Sequence, residues 1–596
     1  MSAIAGCYWF DQRPARVEDL AVPTTAAAHR AGGPFRFRCD GPAGLAYAGR
    51  RPESNQPYHD PRVRLTVIVD GRLDNLDDVA AALGTPSQPA CGVVATAYRR
   101  WGRDLGAHLL GDFVVLVYDE AERRLVCLRD SMGQRPLFYG VGNAGVVFGS
   151  EAHQVVRHPE IPSDVNEGVI AEHLTNTPVT VAETLWRAVK RLPPAHALEI
   201  ADHTVQVNRF CDFDPEARVA YDRDEEYDEH FRELLARSVE CRTADCDGVG
   251  VLLSGGLDSS SVAGMAQTIG ARLSKRSVHA LSIAFPGRAC DETSFVDAVV
   301  EKWRLPLTRR DVVVPSRPAL EQEAERYLDL PMFPNSLAAE PLRESAADLE
   351  IEVMLTGCGG DEFFAGNPAY PLDMIMRGQL FAGARAFVRP LLSDRARRFL
   401  KPIFGARQTP QPWINTQFAR RTCLRDRCER SAIPPFPTDE QRDLYSIMSS
   451  VLQVIGAEVE DRAAQRHGLD IRHPLFDRRI AEFGLALPSS QRWQGRQMKV
   501  LLRRALRDYL PPVVANRQDK AEFSPTYVET LEALGGRPFF TDLRSCDAGW
   551  VDGRVAADMY DRMMALYRRG DDAYIAATSP LFAIAALEIW LERAKP

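Results

Sequence analysis

"VLLSGGLDSSSVAG", residues 251–264, reads as a buried strand, a tight glycine turn and the start of a helix. Val251, Leu252 and Leu253 suit a central parallel strand, covered on both faces. Gly255 and Gly256 let the backbone turn sharply and bring its amides close to a ligand. Ser259, Ser260 and Ser261 open a helix whose first N–H groups have no partner within it. Such a cup suits an anion, most often phosphate. It differs from the GxxxxGK[ST] loop, because no Lys follows the glycines.

A second loop, "LTGCGGDEFFAG" (355–366), has the same grammar: an apolar strand, glycines, then Asp361 and Glu362. Two strand ends that each present an Asp beside a glycine cup point to a Mg²⁺–triphosphate site. A hard cation takes carboxylate oxygens together with phosphate oxygens. Asp258 and Asp361 are the natural pair, with helix capping as their other open role. Further on, "EVEDRAAQRHGLDIRHPLFD" (458–477) offers Glu458 and Glu460 as candidate bases. "GRQMKVLLRRALRDYLPPVVANRQDKAEFSP" (495–525) offers Lys499, Arg517 and Lys520 for phosphate.

The chain of 596 residues is long enough for two or more domains. With 45% hydrophobic and 26% charged residues its composition is that of a soluble protein. A net charge of −8 argues against nucleic-acid binding. No apolar run approaches the roughly 20 residues of a membrane span. The start, MSAIAGCYWFDQ, lacks the basic and apolar regions of a signal peptide. The 12 cysteines are scattered without a CxxC pair, which fits reduced thiols and a cytoplasmic location.

Residues 1–215 carry short β-type runs such as "GLAYAGR", "VRLTVIVDG" and "GVVFGS", each ending in turn chemistry, and predict an α+β domain. "DPEARVAYDRDEEYDEHF" looks like a linker running into a helix. Within 216–596, "VGVLLSGG", "VHALSIAF", "LTRRDVVV" and "EVMLTGCGG" alternate with amphipathic helices such as "SFVDAVVEKW", the pattern of a doubly wound parallel sheet. Both glycine turns then fall at carboxyl ends of strands, where such sheets bind ligands. Residues 440–596 read as mainly helical, closing on the apolar stripe of "LFAIAALEIWLERA". Between Arg377 and Arg430 stand thirteen Arg or Lys against three Asp or Glu, either a solvated face or a surface for an acidic partner.

S-G-G-L-D-S-S, G-x-G-G-D-E, H-G-L-D-I-R-x-P-L-x-D and R-x-x-K-x-x-F, in this order, resemble the synthetase half of the asparagine synthetase B family. That family includes β-lactam synthetases and lasso-peptide macrolactam cyclases. The resemblance implies an ATP-pyrophosphatase domain that uses ATP and Mg²⁺. A substrate carboxylate forms an acyl-adenylate, and an amine then forms an amide. By position it implies that Leu253, Ser254, Gly255, Gly256, Leu257, Asp258, Ser259 and Ser260 hold pyrophosphate, with Gly357, Gly359 and Lys499 completing the ATP site. Ile283, within the stretch Leu281 to Phe285, would border the adenine. Asp258 and Asp361 would hold Mg²⁺. Lys520 would stabilise charge in the reaction, and Glu460 or Glu458 would be the base.

The N-terminal half resembles the family's Ntn-type glutaminase domain with three changes. Ser2 stands at the nucleophile's place, where glutamine-using members have Cys. The N-G-E stretch that grips glutamine is Asp70, Gly71, Arg72, and the second acidic grip is Ala90. This implies a retained but inactive glutaminase, so the amine belongs to the substrate. Cys358, where β-lactam synthetases place a Tyr, gives a T-G-C-G-G-D form most like lasso cyclases, and it counts as a candidate catalytic position. The implied partners are a precursor peptide, a leader peptidase and a leader-recognition protein.

Overall fold

A computed structural model describes residues 2–50, 55–85, 88–272, 278–366, 411–429, 433–494, 497–518 and 521–594. The fold is mixed α/β. In the N-terminal half two six-stranded sheets stack face to face. Ser2–Trp9 runs inside one sheet, between Ala43–Gly49 and Gly145–Gly149, all antiparallel. The other sheet centres on Gly111–Asp119, flanked by Leu65–Leu73 and Arg124–Arg129. Ile4, Tyr8, Leu45 and Phe148 meet Ile68, Leu116 and Leu198 between the sheets. This is the interdigitated core expected of aligned sheet packing. Helix Ala90–Trp101 covers one outer face, through Val93, Val94 and Ala97. Helix Ala152–Val156 covers the other.

The 20-residue helix Asp224–Thr243 starts inside the charged stretch read as a linker. Beyond it a five-stranded parallel sheet forms, ordered Leu307–Asp311, His279–Ala284, Val249–Leu252, Val353–Leu355, Asp470–Arg472. The order reverses at Val249–Leu252: the chain runs on to one side of it through His279–Ala284 and Leu307–Asp311, then returns to the other side at Val353–Leu355. The crevice for a ligand therefore opens between this strand and Val353–Leu355. Asp470–Arg472 went unread as a strand. It has three residues, and its buried side chains Asp470 and Arg472 are charged.

The last helix, Ile575–Arg593, is buried on every side from Leu581 to Trp590 rather than along one stripe. The segment Asp572–Arg593 is long and apolar enough to cross a membrane, which corrects the expectation that no run approaches that length. Its most apolar window is 67% buried inside the protein, and it packs against helices Arg317–Tyr327 and Ser524–Ala533 as a core element. Of the basic stretch only 411–429 lies within the described residues. There Arg421 pairs with Glu167, and Arg427 with Glu172 and Glu183, so these cations hold the two halves together.

Candidate active site

The two glycine loops meet at the switch point. Gly255 adopts φ +70°, and a Cβ there would strike Phe295 Cβ at 2.6 Å. Gly357 lets the second loop press on the first, since a Cβ would lie 2.5 Å from the Ser259 backbone nitrogen. Gly359, at φ +109°, turns that loop beneath Leu475. The loops hold themselves by short-range bonds. Gly256 N–H donates to Ser254 Oγ (3.3 Å), and Ser254 Oγ lies 3.1 Å from Ser259 Oγ. Gly359 N–H donates to Glu362 Oε2 (2.9 Å), while Gln453 Nε2 donates to Glu362 Oε1 (2.7 Å). Cys358 N–H donates to Thr356 Oγ1, which meets buried His473 Nδ1 at 2.6 Å.

Lys499 closes the crevice. Its Nζ lies 2.5 Å from Asp258 Oδ2 and 2.7 Å from Asp361 Oδ1. Burial works against the ammonium charge, but the two carboxylates outweigh it and hold Lys499 above the ordinary lysine range. Burial pushes Asp258 up, as does Asp361 beside it, against the pull of Lys499. Asp258 Oδ1 is buried without a hydrogen-bond partner among the described residues. Two carboxylates from two loops, one with an unsatisfied oxygen, are the kind of donors a hard cation takes, and here the Lys499 ammonium lies between them.

Not every position read from the sequence stands in the crevice. Leu253 and Leu257 are buried in the apolar core and support the turn rather than line it. Ser260 is fully buried, its Oγ without a partner among the described residues. Ile283 packs with Leu281, Leu342 and Met354. Phe285 lies just beyond the end of that strand, where its ring centroid is 5.0 Å from that of Phe523. Arg517 pairs with Glu292 and sits 4.1 Å from the ring of Phe295, the residue behind Gly255. Lys520 lies outside the described residues.

The two glutamates separate. Glu458 is buried against Arg191 Nε (2.7 Å) and Arg129 (3.3 Å), both from the N-terminal half. Its carboxylate joins the halves instead of facing the crevice. Glu460 is partly open, with Oε2 accepting from Arg343 at 2.8 Å. Burial alone would raise its carboxyl, but Arg343 outweighs it and holds Glu460 below the usual range. Cys358 is open to the crevice. Enclosure by the walls, then the carboxylates of Glu362 and Glu460, push its thiol up to about 12. It is therefore a neutral thiol at pH 7 rather than a thiolate.

In the N-terminal half Ser2 Oγ donates to buried Asp70, and Arg30 Nε donates to the Ser2 carbonyl at 3.0 Å. A cavity of about 200 Å³ opens here, lined by Gln56, Gly71, Ala90, Arg135, Asp470 and Arg472 among others. Arg72 is not among its walls. It pairs with Asp74 and with Asp112 (2.8 Å), and Arg242 joins Asp112 (3.1 Å) from the other half. The charged walls around Ser2 are Arg50, Arg135 and Arg472 with Asp245, Glu352 and Asp470, where sequence reading placed Arg72.

A glycine-cradled, acidic crevice at the switch point of a parallel sheet, joined to a two-sheet sandwich with Ser2 on a central strand, defines a two-domain ATP-dependent amide-forming ligase. Residues 230–592 match the asparagine synthase family model, and residues 1–211 match the glutamine amidotransferase domain. The chain belongs to the asparagine synthase family. It is 23% identical over 488 residues to asparagine synthetase [glutamine-hydrolyzing] 3 of Bacillus subtilis, covering 78% of this chain and 76% of the relative. Asparagine synthetase [glutamine-hydrolyzing] 2 of the same organism is 24% identical over 493 residues, 76% of this chain and 62% of the relative. Amidase chry2 of Gibberella zeae is 24% identical over 386 residues, 60% of this chain and 57% of the relative.

Proposed function

We propose that this ligase joins a carboxylate and an amine of one substrate, a peptide, making a macrolactam as lasso-peptide cyclases do. The observation that supports this most is the cavity at Ser2. Ala90 lines it and Arg72 turns away to Asp74 and Asp112, so neither position that grips the amine of glutamine in the family carries a carboxylate, although Asp245, Glu352 and Asp470 stand elsewhere in the wall. An enzyme without that grip takes its amine from elsewhere.

In the reaction a side-chain carboxylate oxygen of Asp or Glu attacks the α-phosphorus of ATP, and pyrophosphate leaves. The peptide's N-terminal nitrogen then attacks the acyl carbon, loses a proton, and expels AMP by breaking the acyl C–O bond. The backbone amides of 254–259 hold the pyrophosphate, and Lys499 neutralises the charge gathered there. Asp258 and Asp361 would hold Mg²⁺, which supplies further neutralisation of the phosphates. Glu460, kept ionised by Arg343, is the acceptor for the amine's proton. Lys520 neutralises charge as AMP leaves, a role that rests on the family motif. Cys358 stays a neutral neighbour of the acyl group. A leader peptidase and a leader-recognition protein would deliver the peptide.

The Bacillus relatives favour a second reading, in which free aspartate and ammonia are the substrates. Oxygen labelling separates the two. A peptide labelled with ¹⁸O in its Asp or Glu carboxylates should pass one label to AMP. Label that appears in AMP only from free aspartate would establish the second reading.

A further inference from the structure

The seam between the halves holds a cluster that the chemistry above does not use: His29, Glu151 and His153, with one ligand atom from each within 4.8 Å of the others. Both imidazoles turn one nitrogen to the same backbone carbonyl. His29 Nδ1 lies 3.2 Å, and His153 Nε2 3.1 Å, from Ala26 O. A carbonyl oxygen accepts only, so each of these nitrogens carries the proton. The remaining nitrogens, His29 Nε2 and His153 Nδ1, lie 3.1 Å and 3.4 Å from Glu151 Oε2, and His29 Nε2 also lies 3.3 Å from Glu151 Oε1. Glu151 Oε2 is buried and has no hydrogen-bond partner among the described residues.

Two protonated imidazoles would crowd positive charge here. Glu151 already holds Arg30 through its other oxygen at 2.9 Å, and Arg30 also pairs with Asp461. Two neutral imidazoles would leave a lone pair on each of three atoms that lie within 4.8 Å of one another. Tetrahedral zinc ligands at about 2.0–2.1 Å from the ion stand about 3.3 Å apart, close to the 3.1 and 3.4 Å found here. A backbone carbonyl on the second nitrogen is the usual outer support of a metal-bound histidine. Beside the cluster lies a cavity of about 20 Å³, lined by Glu151, His153 and Tyr327. It has room for one water as fourth ligand. The Tyr327 hydroxyl is buried and unpartnered among the described residues.

We propose that His29, Glu151 and His153 form a zinc site within the N-terminal half, at its seam with the synthetase half. His29 and His153 each meet the ring of Tyr327 edge-on, at 5.5 and 5.7 Å between centroids, so the site touches the helix Arg317–Tyr327 of the other half.

The test uses the full chain, purified without chelator and kept in Mg²⁺ to fill any hard-cation site. Elemental analysis should find close to one zinc per chain. Protein stripped by a zinc chelator should regain it on titration, with a rise in Tm. Co²⁺ in its place should give the visible absorption of a tetrahedral site. Glu151→Gln and His153→Gln should each weaken zinc binding by about 100-fold or more, since losing even an outer partner costs 10–100-fold. His59→Gln, at the separate half-buried group Asp40, His59 and Glu120, should leave it unchanged. Wild-type protein that neither carries nor takes up a stoichiometric zinc overturns the proposal, whether or not the variants fold. Zinc retained by Glu151→Gln and His153→Gln overturns it equally.

Discussion

Lys499 Nζ lies 2.5 Å from Asp258 Oδ2, joining residues 241 positions apart on the two sides of the crevice. The ammonium stands where the two acidic loops converge, so it and Asp258 depend on each other. Asp258→Asn removes the charge and keeps the shape. Lys499→Met leaves two carboxylates without their counter-charge. Each should slow AMP release by roughly 10²–10³-fold, the usual cost of one preorganised electrostatic group. Circular dichroism should stay that of the wild type. Near-normal turnover in Asp258→Asn would remove the crevice from the chemistry.

Glu458 and Glu460 are two residues apart and should fail in different ways. Glu458→Ala leaves Arg129 and Arg191 facing a buried gap in charge. It should lower stability by about 3–5 kcal/mol, as for other broken buried pairs, with amide formation per folded molecule little changed. Glu460→Gln should do the reverse: a wild-type urea midpoint and a slower amide-forming step in single-turnover kinetics. The opposite division would exchange their roles.

Much of this was legible in the sequence, and the failures have a common cause. The two glycine loops were readable because strand, turn and helix start are local patterns. The parallel sheet followed from the alternation of strands and helices. Asp470–Arg472 was not readable, because its inward side chains are charges satisfied by Arg135 and Asp245 far away in the chain. Glu458 looked like a base for the same reason: Arg191 stands 267 residues before it. Arg343 and His473 belong to the site but sit in stretches with no repeating pattern of their own. Only the pairing of Arg343 with Glu460, and of His473 with Thr356, reveals them.

The N-terminal half should be silent in catalysis. Ser2 Oγ is held by Asp70, and the grip positions are Ala90 and an Arg72 paired with Asp74 and Asp112. Ser2→Ala should leave amide formation unchanged, and glutamine should not be hydrolysed by the wild type. Glutamate released from glutamine, and lost on Ser2→Ala, would show a working glutaminase.

Acid should unfold the protein early. Asp470 is held well below the carboxylate range by Arg135 and Arg472 against the effect of burial. Asp477 is held down by Arg479 and Arg242, and Asp112 by Arg242 and Arg72, again against burial. A carboxyl with a depressed folded pKa lends stability above its unfolded value, about 3.9 for Asp, and loses it as pH falls further. Asp130, raised to about 6 by burial, has the opposite sign. Its contribution is complete below about pH 4 and lost through pH 6. Because more carboxyls are held down than pushed up, Tm should fall steeply from about pH 4 downward. A Tm unchanged between pH 7 and pH 3 would contradict the ion-paired seam.

The most direct measurement is the mass of the product. The full chain is incubated with ATP, Mg²⁺ and the peptides encoded by short reading frames beside its gene, and in parallel with free aspartate and ammonium. The expected result is a peptide lighter by one water, with its N-terminal amine and one Asp or Glu carboxyl both consumed. One AMP and one pyrophosphate should be released per ring, and the aspartate reaction should give nothing. Asparagine formed from free aspartate, with every peptide left at its linear mass, would contradict the macrolactam reading.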